Sequence, residues 1–210
     1  MVLREEFENA NRSATLSNEP TSSVLVLPGW NNSGPKHWQT LWEQEEASFR
    51  RVQQKDWVTP RLSDWIEGIS QEVVRARPPI VFAAHSLGCI ALAHWAQTAS
   101  PESLSRTKGA LLAAPADVDR PECAEPIRNF RPVPCGVVPF ASVVVASSDD
   151  PHTPLARARE FAGFWGSRFV DIGPADHSAT NMGDWPEGKR LLQSLLYGIS
   201  DEIGPASASY

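Results

Sequence analysis

The chain has 210 residues, 41% hydrophobic and 21% charged, a size and composition that suit one globular domain around a single core. With a formal net charge of −6 and no basic patch, neither nucleic acid nor an anionic membrane is expected as a partner. Three scattered cysteines, Cys89, Cys123 and Cys135, exclude a disulfide framework and a zinc site, and a reducing cytoplasm is the expected compartment.

Residues 1–23 are polar, with early acidic residues and no apolar stretch, and read as a flexible segment rather than a secretory signal. Val24-Leu25-Val26-Leu27, ended by Pro28-Gly29, reads as a buried strand. Over 36–49, Trp38, Leu41, Trp42, Glu45 and Phe49 recur at helical spacing, and Asp56-Trp57-Val58 reads as a short strand closed by Pro60. Residues 62–74 read as a helix capped by Ser63, with Trp65, Ile69 and Val73 on one face.

A strand over 80–84 leads directly into a helix over 86–99, and Gly109 to Ala114 form another strand, stopped by Pro115. Residues 116–140, rich in proline and without a sustained period, read as a long connection over one end of the sheet. A strand over 143–146, a helix over 155–165, a last strand over 169–172 and a helix over 186–197 with proline in its first turn complete the domain. The domain is assigned to 24–200 and a flexible tail to 201–210. No run of apolar residues reaches the length of a membrane span.

Strands that alternate with helices and are apolar on both faces define an α/β fold, a mostly parallel central sheet with helices on both sides. In such folds ligands bind at the carboxyl ends of the strands, and the reactive residues of this chain follow strands. Ile80-Val81-Phe82-Ala83-Ala84-His85-Ser86-Leu87-Gly88 places a serine on a sharp strand-to-helix turn, with Ala84 where G-x-S-x-G has its first glycine. The strand over 143–146 is followed by Asp149-Asp150-Pro151-His152, and the last strand by Asp176-His177.

Serine, acid and histidine thus occur in the chain order of α/β-hydrolases. The expected roles are nucleophile for Ser86, base for His177 and orienting acid for Asp150, with Asp149 its solvated neighbour. His85 is expected to project away from Ser86, and His37 and His94 to serve packing or the surface. The oxyanion hole is assigned to the backbone N–H groups of Leu87, after the nucleophile, and of Trp30, after Gly29. Asn31, Trp38 and Trp185 are candidates for the substrate pocket, eight tryptophans being many for a chain of this size.

With these motifs placed, residues 24–196 resemble the small α/β-hydrolases of the retinoblastoma-binding-protein-nine and bacterial YdeN group. The resemblance rests on Leu27-Pro28-Gly29-Trp30-Asn31-Asn32-Ser33-Gly34-Pro35 with His37-Trp38, on Asp56-Trp57 with Asp64-Trp65, and on Ala84-His85-Ser86-Leu87-Gly88-Cys89 with His94-Trp95. It continues through Ala114-Pro115-Ala116-Asp117-Val118, Asp150-Pro151 and Gly183-Asp184-Trp185-Pro186-Glu187-Gly188. It implies a compact hydrolase without a large cap domain, with a triad matching Ser86, Asp150 and His177, acting on small esters or amides. Relatives carry glycine before the catalytic histidine where this chain has Asp176, and a carboxylate beside the imidazole is expected to favour its charged form.

The sequence therefore predicts a serine hydrolase that works through an acyl-enzyme on a small-molecule acyl substrate, with no cofactor and no metal. A catalytically weak binding module and an acyltransferase using the same nucleophile are its alternatives. Protein partners are not legible.

Overall fold

A computed structural model describes residues 22–178 and 182–198; of the flexible segments expected at 1–23 and 201–210, residues 1–21 and the whole of 201–210 lie outside the described residues. Six strands form one sheet: β1 (Ser23–Leu27), β2 (Phe49–Arg51), β3 (Ile80–His85), β4 (Thr107–Ala113), β5 (Ala141–Ala146) and β6 (Arg168–Asp171). Their order is β2-β1-β3-β4-β5-β6 and every pair is parallel. Among the described residues six helices connect or flank them: α1 (Trp38–Glu45), α2 (Leu62–Arg75), α3 (Leu87–Thr98), the single-turn α4 (Pro101–Ser105), α5 (Leu155–Trp165) and α6 (Pro186–Tyr197). A 3₁₀ helix spans Glu125–Phe130.

The apolar runs are buried because alternate residues of each strand serve different layers. Leu25, Leu27, Phe82, Ala84, Leu112 and Val144 join Trp65, Ile69, Trp95, Phe161 and Trp165 of α2, α3 and α5 in one core. Val24, Val81, Ala83, Leu111, Val143 and Val145 pack on the other face against Trp38 and Trp42 of α1 and Leu191 and Leu192 of α6.

The strand over 56–58 and the continuous helix over 36–49 are not formed. α1 ends at Glu45, and Phe49, which shares its period, begins the three-residue edge strand β2. Asp56 instead folds a turn, its Oδ1 accepting from the N–H groups of Val58 and Thr59. Nor does Ser63 cap α2: the helix starts at Leu62, whose N–H donates to Asn129 Oδ1 across the fold.

The chain reverses direction across the sheet between β1 and β3, where successive connections leave to opposite sides, and a crevice opens there at the carboxyl ends of the strands. Gln39 seals the crevice from below. Its Nε2 donates to the carbonyls of Leu27 (3.0 Å) and Ala83 (2.8 Å), and Ser33 Oγ donates to its Oε1. Helix α3 meets β1 closely at Gly88, where a Cβ would stand 2.4 Å from the Leu27 carbonyl oxygen.

Candidate active site

Ser86 links β3 to α3 with φ 52° and ψ −120°, a conformation that residues other than glycine rarely adopt. Neighbouring backbone holds the turn: Ser86 N–H donates to the Ala113 carbonyl, and the Ser86 carbonyl accepts from Cys89 and Ala116. The result is a sharp strand-to-helix elbow with the serine hydroxyl at its apex. A Cβ at Gly29 would stand 2.8 Å from Ser86 Cβ, so the β1 turn approaches the elbow as closely as a bare backbone allows.

Beyond β6, the turn 173–178 carries His177 back across the crevice. His177 Nε2 lies 2.8 Å from Ser86 Oγ, and Nδ1 lies 2.7 Å from Asp150 Oδ2. The Asp150 side chain is 1% exposed. Burial pushes its carboxyl up, but the His177 hydrogen bond, the His177 charge and the N–H groups of His152 and Thr153 outweigh burial and leave it below the usual carboxylate range. A carboxylate that accepts Nδ1–H leaves Nε2 as the acceptor for the serine hydroxyl.

Asp149, expected as a solvated bystander, is exposed yet bonded. Its Oδ1 accepts from Ser147 Oγ and from the N–H groups of Ala175 (2.9 Å) and Asp176 (2.8 Å), tying the acid loop to the histidine turn. These bonds, the Ser147 hydroxyl first, hold its pKa below the ordinary value. Asp176 has φ 58°, the left-handed conformation that favours glycine, and its Oδ1 accepts the His177 N–H. The carboxylate thus caps the backbone of the turn.

His85 and His37 complete a row of imidazoles behind the elbow. Burial, then the His37 and His177 charges, push His85 well below the usual histidine value, so it is neutral and its Nε2–H donates to the His177 carbonyl at 3.0 Å. His37 caps α1, its Nδ1 accepting from Gln39 N–H, which puts the proton on Nε2. Its Nε2 is buried without a partner. Burial, then Arg51 and His177, lower its pKa to about 4.

Between pH 6.5 and 4 the unfolded chain therefore binds a proton at His37 that the folded chain refuses, so stability is full above that window and falls as the pH drops through it. Urea unfolding is expected to show wild type losing about 2–3 kcal/mol more than His37→Asn between pH 7 and pH 4.5; equal losses would remove this account. Asparagine retains the capping oxygen.

A cavity of about 250 Å³ opens over Ser86. Trp30, Leu87, Ala116, Cys123, Ala124 and Ile127 give it apolar walls; Asn32, Asp117, Arg120, His152 and Ser178 border it with polar groups. The 116–140 connection builds much of this wall. It is anchored by the buried Phe130, whose carbonyl accepts from His94 Nε2, and by Asn129 Nδ2, which donates to the Pro60 carbonyl.

Of the expected pocket residues, Trp38 and Trp185 are fully buried and pack on each other at 5.1 Å beneath the histidine turn, because α1 and the start of α6 turn both rings into the core. Asn31 is exposed beside the mouth with φ 66°, and Asn32 lines the cavity instead. Trp30 and Leu87 both border the cavity next to Ser86. In this turn the Asn31 N–H donates to the Trp57 carbonyl and the Asn32 N–H to the Gly29 carbonyl. Leu87 opens α3, where an N–H has no preceding helical carbonyl to bond. Among the described residues no three His, Cys, Asp or Glu side chains gather as metal ligands, and no helix is long and apolar enough to cross a membrane.

A parallel sheet with a serine elbow at its reversal point defines an α/β-hydrolase. The serine hydrolase family profile matches residues 24–194, and the chain belongs to that family. Among solved structures, a protein from Pectobacterium atrosepticum described as a YdeN-like hydrolase is 28% identical over 83% of this chain and 90% of its own, with a TM-score of 0.71. The ydeN gene product from B. subtilis, 19% identical over 84% of this chain and 99% of its own, has a TM-score of 0.68, and Est1E from Butyrivibrio proteoclasticus, 13% identical over 85% and 88%, one of 0.60; these two share the fold. No protein with a curated description matches the chain. The protein is thus an α/β-hydrolase of the serine hydrolase family, similar in structure to YdeN-like hydrolases.

Proposed function

We propose that the protein hydrolyses a small ester or amide through an acyl-enzyme, with Ser86 as nucleophile, His177 as proton carrier and Asp150 as the group that orients it. The observation that carries this reading is the unbroken chain Ser86 Oγ, His177 Nε2, His177 Nδ1, Asp150 Oδ2, with links of 2.8 and 2.7 Å. Ser86 Oγ attacks the carbonyl as His177 takes its proton. The N–H groups of Leu87 and Trp30 receive the oxyanion, and His177 then protonates the departing alcohol or amine. Water repeats the sequence on the acyl-enzyme.

The cavity volume lies just below the usual range for small-molecule sites, which fits a short acyl group. No cofactor enters these steps. The substrate this reading calls for is a small acyl molecule. Asp176, the residue that keeps a non-catalytic binding role open, turns its carboxylate to the turn's backbone. A fluorophosphonate probe is expected to label the protein stoichiometrically, with the adduct on the peptide that contains Ser86. An unlabelled protein would favour the binding module.

A further inference from the structure

Arg120 borders the cavity mouth, half buried, on the connection after β4. Its backbone is fixed, since Arg131 Nη2 donates to the Arg120 carbonyl at 2.6 Å. Among the described residues its guanidinium meets neutral acceptors: Nη1 donates to the carbonyls of Pro151 (3.4 Å) and His152 (3.2 Å), and Nη2 to His152 Nδ1 (3.2 Å). A guanidinium has five N–H groups, so donors remain.

The nearby carboxylates are engaged elsewhere. Asp117 and Asp119 pair with Arg157, Asp150 holds His177, and Asp176 caps the His177 N–H. Among the described residues Arg120 has no carboxylate partner. In a chain of net charge −6, a cation at the substrate cavity without an anion is a feature that binding chemistry would use.

The neighbours of Arg120 fix which part of a substrate it meets. Because His152 Nδ1 accepts from Arg120, its proton is on Nε2. The His152 ring stands edge-on to His177, 4.8 Å between centroids and 87° between planes. In acyl transfer the leaving group departs beside the imidazole that protonates it. Groups packed on that imidazole therefore border the leaving group, while Trp30, Leu87 and Ile127 supply apolar wall for the acyl part.

We infer that the leaving group of the substrate carries a carboxylate, held by Arg120 with His152, so that the enzyme cleaves short-chain acyl derivatives of hydroxy or amino acids. Water adds across the acyl bond, and the products are a short carboxylic acid and the freed hydroxy or amino acid. The inference rests on the Ser86 reading above.

The test compares kcat/KM of the full chain for the butyryl esters of 3-hydroxybenzoate and of 3-hydroxybenzamide, whose leaving phenols are of similar acidity. Wild type is expected to prefer the carboxylate ester by about tenfold or more, and the preference to shrink as salt is added. Arg120→Met is expected to bring the ratio near one and Arg120→Lys to keep part of it. Both esters are measured on each variant, so general damage from losing the contacts to Pro151 and His152 cancels in the ratio. A wild-type ratio near one, or an Arg120→Met ratio equal to wild type, overturns the inference while fluorophosphonate labelling of Ser86 leaves the catalytic reading intact. No turnover of either ester together with no labelling overturns both.

Discussion

Ser86→Ala is expected to lower kcat on a short-chain p-nitrophenyl ester by roughly 10⁶-fold while leaving the unfolding midpoint nearly unchanged. The argument has two halves. The hydroxyl sits 2.8 Å from His177 Nε2 and, in the proposed mechanism, is the atom through which every covalent step passes, so its removal is expected to leave only what the oxyanion donors and binding provide. The fold, by contrast, holds the elbow through the Ser86 backbone, which donates to Ala113 and accepts from Cys89 and Ala116, and alanine retains all three bonds. Alanine also retains the Cβ, so the strain at φ 52° is the same in both proteins. Ser86→Gly would relieve that strain and is the control that separates backbone from hydroxyl: it too is expected to be inactive, but more stable by about 1 kcal/mol. Substantial turnover by either variant would remove Ser86 from the nucleophile's role.

The parts of the site that sequence makes legible are those set by local order. An apolar run that stops at a serine and resumes with helical residues reads as a strand, a turn and a helix, which is what β3, Ser86 and α3 are. The same logic places Asp150 and His177 past the ends of β5 and β6, because a parallel sheet collects all its carboxyl ends at one edge. Edge strand β2 is not legible: Phe49-Arg50-Arg51 is three residues long, half exposed, and pairs only with β1, so its hydrophobic signal reduces to one phenylalanine that also fits the period of α1.

Side-chain direction is the second thing a linear pattern hides. Trp38 and Trp185 are near the site in sequence, but His37 caps α1 so that Trp38 points into the core, where Trp185 packs against it. Contacts between distant loops are the third. Asp149 and Asp150 are adjacent and chemically identical, and only the path of the turn 173–178 decides that one meets backbone N–H groups and the other an imidazole. Asp176 lies between these cases. Its left-handed φ is one that glycine adopts freely, and the aspartate in this position uses its carboxylate locally, accepting the His177 N–H.

That division of labour between the two aspartates yields the second large effect. Asp150→Asn is expected to lower kcat about 10⁴-fold, whereas Asp149→Ala should cost about 10- to 100-fold. In Asp150→Asn the amide oxygen can keep the bonds from His152 and Thr153 N–H that Oδ1 accepts now, so the loop stays formed. The amide nitrogen then faces His177 Nδ1 as a donor, which drives the imidazole proton to Nε2 and points it at Ser86 Oγ. A base already carrying its proton toward the nucleophile cannot accept another, and the geometry survives with the wrong tautomer. Asp149→Ala leaves that tautomer correct and removes instead the three donors' shared acceptor, so the histidine turn loosens and the fraction of molecules with His177 in reach of Ser86 falls. Steady-state kinetics on the same ester, with fluorophosphonate labelling rates as an independent readout of Ser86 activation, distinguishes the two: Asp150→Asn slows labelling far more than Asp149→Ala. If the order is reversed, the orienting acid is Asp149 and the 2.7 Å bond from His177 to Asp150 does not describe the working enzyme.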